Sequence, residues 1–128
     1  LNNWIIHNYM NPQMNDPIVQ YILLRGDLKF PKGALCTQVA HASVACIQTY
    51  YNDKITQEYL SDLQNMHKIV LKVESLQAIE QFESALKQQK IDHFMWIEQP
   101  ENVKTALALK PDHQLKLKHL FTQLKLYQ

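Results

Sequence analysis

Residues Tyr21 to Tyr50, YILLRGDLKFPKGALCTQVAHASVACIQTY, decide how the chain is read. They hold both glycines of the sequence, Gly26 and Gly33, on either side of a turn carrying Asp27, Lys29 and Lys32. Glycine permits backbone angles and close approaches that a Cβ resists, so a chain with only two is expected to need both where they stand. An apolar run of strand character (Ile18, Val19, Tyr21, Ile22, Leu23, Leu24) enters the turn. Pro31 suits a first helical turn and helix formers follow it. The unit is strand, loop, helix, with Lys29 and Lys32 beside a helix N-terminus whose free N–H groups favour anions such as phosphate.

Working outward, the spacing of Leu35, Val39, Ala42, Cys46 and Ile47 predicts a helix from about Gly33 to Tyr50 that faces a sheet. Ala40, Ala42, Ser43 and Ala45 are small enough for close packing. Gln38 and His41, three apart, share one side of this helix near the turn. Asn52–Asp53 breaks it, and a second helix begins near Ile55 with Tyr59, Leu63 and Met66 as a narrow apolar stripe. His67 to Glu74, HKIVLKVE, reads as a strand covered on both faces. Ser75 can cap the next helix, whose buried stripe is Leu76, Ile79, Phe82 and Leu86. HFMWI (His93 to Ile97) is a third strand and EQPEN a polar turn. TALALK (Thr105 to Lys110) is a fourth strand. Pro111-Asp112 opens a last helix carrying Leu115, Leu120 and Phe121, and Leu124 to Tyr127 finish the core.

Strands alternating with helices predict an α/β fold: a mixed, mostly parallel four-stranded sheet with helices on both faces, a three-layer sandwich. The third-to-fourth connection is too short for a parallel crossover, so those two strands are antiparallel neighbours or not adjacent. Residues 1–17, rich in Asn and Pro, read as a poorly ordered lead-in without signal-peptide character, although Trp4, Ile5, Ile6 and Tyr9 could dock. Residues 18–128 read as one domain. In open α/β sheets, ligands gather beyond the carboxyl ends of parallel strands. If the first and third strands run parallel, the lysine turn and the EQPEN turn share an edge. Asp27, Lys32, Gln38, His41, Glu98 and Asn102 then converge on one pocket.

Composition narrows the function classes. No apolar run approaches the ~20 residues of a membrane span. Cys36 and Cys46 fall about 15 Å apart on one predicted helix, too far for a disulfide. Unpaired thiols suit a reducing compartment, and a cytoplasmic protein is expected. The histidines show no paired metal spacing. Net charge is +1, but from Val103 onward five lysines stand against a single acid, Asp112, which allows a basic face. Histidine is the side chain best matched to proton transfer near neutral pH, so His41 is a candidate base, or a hydrogen-bonded structural residue under the loop. Glu98 could activate water, or pair with a surface lysine. Asp27 could act in the site, or hold Arg25 or Lys32. Trp96 reads as a core residue of its strand.

Arg25, Asp27, Leu28, Lys32, Gly33, Gln38, His41 and Ala42 match the pattern R-x-D-L-x-x-x-K-G-K-x-x-A-Q-x-x-H-A. The stretch from Arg25 to Ala45 therefore resembles the first strand and helix of the type-2 peptidyl-tRNA hydrolases. IDHFMWIEQPENVKTALALKP and the closing LKLY resemble a divergent subgroup, the peptidyl-tRNA hydrolase domain-containing proteins. The resemblance covers about Val19 to Tyr127. It implies a compact mixed α/β fold, peptidyl-tRNA as substrate, cleavage of the ester between peptide and 3′ ribose, and no metal or organic cofactor. It implies His41, Glu98 and Asp27 as catalytic candidates, with Lys29, Lys32, Gln38, Gln99, Asn102 and Thr105 contacting substrate. Two departures stand out. Ala34 replaces the second lysine of the motif, and EQPENVKT replaces a longer acidic-glycine loop, with Glu98 or Gln99 where an aspartate is expected. A non-catalytic RNA- or protein-binding module that keeps the fold is the alternative.

Overall fold

The computed structural model describes residues 16–128. The expectations for Trp4, Ile5, Ile6 and Tyr9 lie outside the described residues. Strand β1 (Ile18–Arg25) leads through the lysine turn into helix α1 (Lys32–Thr49), and α2 (Lys54–Leu60) follows. Then come β2 (Lys68–Val73), α3 (Leu76–Gln88), β3 (His93–Glu98) and β4 (Val103–Leu109). The chain ends with a short strand β5 (Asp112–His113), one helical turn α4 (Gln114–Leu117) and a 3-10 turn (Lys118–Phe121).

The sheet is mixed, in the order β2-β1-β4-β3, with β5 pairing separately against β1. It is mostly antiparallel, not mostly parallel as the alternation of elements suggested. Only β1 and β2, joined by the α1–α2 crossover, run parallel; β1–β4, β3–β4 and β1–β5 are antiparallel. The cause is the EQPEN turn. It is long enough only for a hairpin, and β4 then inserts between β3 and β1. Two strands apart, β1 and β3 still point the same way.

Each face of the sheet has its own core, by the period-two alternation of strands. Ile22, Leu24, Ala106 and Ala108 face α1, where Ala42 and Cys46 meet them. The alanines on both sides let helix and sheet come close. Val19, Tyr21, Leu23, Leu107 and Leu109 face the other way, toward Ile79 and Leu86 of α3 and toward Leu117 and Phe121. Helices therefore cover both faces. The Ser75 hydroxyl accepts from the Ala78 N–H at 3.1 Å and caps α3. Asp53 accepts from Ile55 and Thr56 and caps α2.

Several expectations are corrected. Helix α2 ends at Leu60, so Leu63 and Met66 lie beyond it and are exposed. Strand β2 is an edge strand, with Lys68 and Lys72 exposed, and not covered on both faces. Its free side is met by the C-terminal segment: Lys72 N–H donates to the Lys125 carbonyl and Tyr127 N–H to Val70, both at 3.0 Å. Pro111-Asp112 does not open a helix, because Asp112 and His113 pair with Val19 and Ile18. Leu115 is exposed and Leu117 takes the buried position. Leu76 is likewise exposed. Neither glycine has a positive φ. A Cβ on Gly33 would meet nothing within 4 Å, so that position does not require glycine. At Gly26 a Cβ would collide with Lys72 Cε, so the lysine stem lies directly over it. Among the described residues no helix is long and apolar enough to cross a membrane.

Candidate functional site

The parallel sense of β1 and β3 puts the lysine turn and the EQPEN turn on one edge of the sheet. Trp96 on β3 pairs with Ala106, which pairs with Leu24 on β1, so all three sit at one level. Just beyond that level the polar groups collect.

Gln38, on the buried side of α1, is 1% exposed, and Thr105 on β4 is fully buried. Thr105 Oγ1 donates to Gln38 Oε1 at 2.8 Å, and Gln38 Nε2 donates to Glu98 Oε2 at 2.5 Å. The hydroxyl uses up the amide's oxygen and turns its NH2 toward the carboxylate. A regular strand would not allow this. Ala106 and Ala108 face α1, so strict alternation would point Thr105 at the opposite core. Between Trp96 and Ile97 the β3–β4 register slips: Trp96 pairs with Ala106 but Ile97 with Lys104, leaving Thr105 without a partner across the ladder. This bulge brings Thr105 over to α1, as bulges beside sites commonly re-aim a side chain.

Glu98 ends β3 on the same face as Trp96. Its other oxygen accepts from Trp96 Nε1 at 3.4 Å. The carboxyl is held below the usual glutamate range, first by the Gln38 hydrogen bond and then by Trp96, by the nearby His41 charge and by the Gln99 backbone, against an opposing desolvation. It stays ionised. His41, one helical turn after Gln38, stacks on the Trp96 indole with ring centroids 4.5 Å apart and planes 18° from parallel.

The other candidates lie around this cluster. Arg25 grips Asp27 through two hydrogen bonds of 3.0 and 2.9 Å and donates to the Lys104 carbonyl at 2.9 Å. That fork pins the turn to β4 and lowers the Asp27 pKa. Both Asp27 oxygens are thus committed to Arg25, and no side-chain bond joins Asp27 to the Glu98 cluster. Lys29 and Lys32 are exposed on the turn and at the start of α1, with no ion pair among the described residues. No side chain caps that helix end, and no acid occupies its first turn. Gln99 donates to Asn102 Oδ1 at 3.4 Å within the EQPEN turn, where Asn102 adopts a φ of 59°. Asparagine tolerates that left-handed conformation better than most residues. A surface depression of about 420 Å³ lies along α3, lined by Gln77, Glu80 and Ser84 among others, and a smaller one lies near Lys110. Neither is lined by the site residues.

Trp96 was not among the residues the sequence singled out for the site. A strand tryptophan is usually core. The available signal was its spacing: two residues before Glu98 on one strand, it has to share Glu98's face. Arg25 was one of two partners the sequence offered for Asp27, and it is the one that Asp27 holds.

A small three-layer α/β protein with a carboxylate, amide and imidazole at the shared strand ends is the class defined here. Residues 18–127 match the family model described as Peptidyl-tRNA hydrolase PTH2. The chain belongs to that family. It is 39% identical over 99 residues, 73% of this chain and 71% of the relative, to the human protein named "Putative peptidyl-tRNA hydrolase PTRHD1". The mouse protein of the same name is 34% identical over 116 residues, 87% of this chain and 83% of the relative. A peptidyl-tRNA hydrolase of Methanothermobacter thermautotrophicus is 29% identical over 112 residues, 84% of this chain and 97% of the relative.

Proposed function

We propose that this protein hydrolyses peptidyl-tRNA in the cytoplasm, cleaving the ester between the peptide and the 3′ ribose. The reading rests on one observation: an ionised Glu98, fixed by Gln38, beside His41 at the edge where the lysine turn ends. Water attacks the ester carbonyl and its proton passes to His41. The Glu98 carboxylate stabilises the imidazolium that results. A substrate phosphate meets Lys32 and the uncapped N–H groups at the start of α1. The carbon–oxygen bond to the ribose then breaks, and His41 returns the proton to the ribose oxygen. Products are tRNA with its 3′ hydroxyl and a free peptide acid, which loses its proton to water. Lys29 and Lys32 hold phosphates, and Gln99 and Asn102 line the approach.

A held carboxylate is a weak base, which is why proton transfer is assigned to His41 and electrostatic support to Glu98. The second reading, a binding module without chemistry, is favoured by Ala34, which leaves the first turn of α1 one cation short of the family pattern. Purified protein and peptidyl-tRNA decide between them. Wild type should release peptide, and His41→Ala should slow it about 100-fold or more, the usual reach of a general base. Binding without cleavage by folded wild type would leave the module.

A further inference from the structure

We propose that Trp96 is a positioning residue for this site, holding His41 and Glu98 in one fixed arrangement through its two ends. The inference rests on the hydrolase reading above. His41 and Glu98 sit on different elements, α1 and β3, and no hydrogen bond joins them among the described residues. Trp96 contacts both: the indole face stacks on His41 at 4.5 Å, and indole Nε1 donates to Glu98 Oε1.

Three features make this more than packing. The indole is only half-buried, at the end of the core that Ala42 and Ala106 begin, so it borders the site instead of filling the interior. Stacking restricts rotation of an imidazole that has no side-chain hydrogen bond of its own among the described residues, and an aromatic pair favours a particular ring geometry beyond what area burial alone gives. Glu98 is held from two directions: Gln38 takes Oε2 and Trp96 takes Oε1. A carboxylate tied at both oxygens has little freedom left to swing away from the imidazole. The bulge adds to this. It lies immediately after Trp96, so Trp96 keeps the regular register with Ala106 while Thr105 is re-aimed toward Gln38. Trp96 is thus the last regular residue before the irregular part of the site.

The test separates the two ends of the indole. Trp96→Phe keeps a stacking ring and removes the N–H; Trp96→Leu removes both. Trp96→Leu should lower kcat about 100-fold with KM within about twofold, the size expected when a catalytic group is displaced by roughly 1 Å. Trp96→Phe should lose about 3- to 10-fold, the worth of one hydrogen bond. A second measurement needs no substrate. In a Trp4→Phe background Trp96 is the single indole of the chain. Its emission should be quenched by the stacked imidazole, keep that quenching in Glu98→Gln, and lose it in His41→Gln. A Trp96→Leu protein with wild-type kcat, or emission that His41→Gln leaves unchanged, overturns the proposal. If wild type cleaves nothing while the His41-dependent quenching is intact, the hydrolase reading fails and the contact between Trp96 and His41 stands.

Discussion

Thr105 is a polar side chain with no exposure at all, and its hydroxyl is spent on the oxygen of the Gln38 amide. Replacing it with valine keeps the shape and removes the donor. The buried Gln38 oxygen is then unpaired, which costs about 1–3 kcal/mol. The amide is also free to turn over, and its oxygen would then face the Glu98 carboxylate with like polarity. Thr105→Val is therefore expected to melt several degrees lower and to cleave more slowly, with Thr105→Ser close to wild type in both assays. Equal melting and equal rate for Thr105→Val would show that the hydroxyl orients nothing. At this scale the sequence was legible where position alone decides. Gln38 and His41 share a helix side by their spacing, and Glu98 ends a strand. Thr105 joined them only through the family resemblance, because alternation assigns it to the opposite face and only the register slip reverses that. Trp96 was read as core for a related reason: a sheet-edge residue and a sheet-centre residue look alike until the strand order is known.

Elements were legible wherever a local signal exists. Ser75 was expected to cap α3 and does so, and Pro31 precedes α1. For β3 and β4 the short EQPEN turn left antiparallel neighbours or no pairing, and the two strands pair antiparallel. What failed depended on distant pairing. Asp112 was read as a helix start, but β1 recruits it as a strand. The sheet was read as mostly parallel because strand order cannot be seen from alternation. Asp53 illustrates an element held by both kinds of contact. It caps α2 locally, through Ile55 and Thr56, and reaches Lys110 at 3.0 Å at the far end of β4. Desolvation works to raise its pKa, but the Lys110 bond and the two backbone N–H groups outweigh that and lower it. A depressed folded pKa means that the ionised form stabilises the fold above the ordinary aspartate range, and that the contribution disappears as pH falls through the folded value. Asp53→Ala should thus cost about 1–2 kcal/mol at neutral pH, the worth of a cap. The gap to wild type should close below about pH 4. Chemical denaturation at both pH values checks this; a gap that stays constant would place the loss in packing and not in charge.

For the whole molecule, charge along the chain and charge on the folded surface are different quantities. The C-terminal lysines suggested a basic face, but the fold neutralises several of them. Lys110 pairs with Asp53 and Asp92, and Lys116 with Asp112, all at about 3 Å. Lys104 stands 3.9 Å from Glu80. The lysines without an ion pair among the described residues include Lys29 and Lys32 on the turn, with Lys72 lying across Gly26 at the same edge. Among the described residues, Lys29 and Lys32 are thus left as unpaired cations at the edge that carries Glu98 and His41, while Lys118 and Lys125 remain so on the C-terminal segment. A phosphate backbone held by Lys29 and Lys32 would lie at the edge of the proposed catalytic pair. Affinity for tRNA should accordingly fall with salt, each neutralised phosphate contributing roughly 0.7 to 0.9 to the slope of log K against log salt. Lys29→Glu combined with Lys32→Glu should weaken binding severalfold or more and flatten that slope by about 1.5. Lys116→Ala, which removes a lysine already paired with Asp112, should change both far less. Titrations of labelled tRNA at several salt concentrations give affinity and slope together. Binding indifferent to salt, or a double variant that binds like wild type, would move the RNA off this edge and detach the lysine turn from the site.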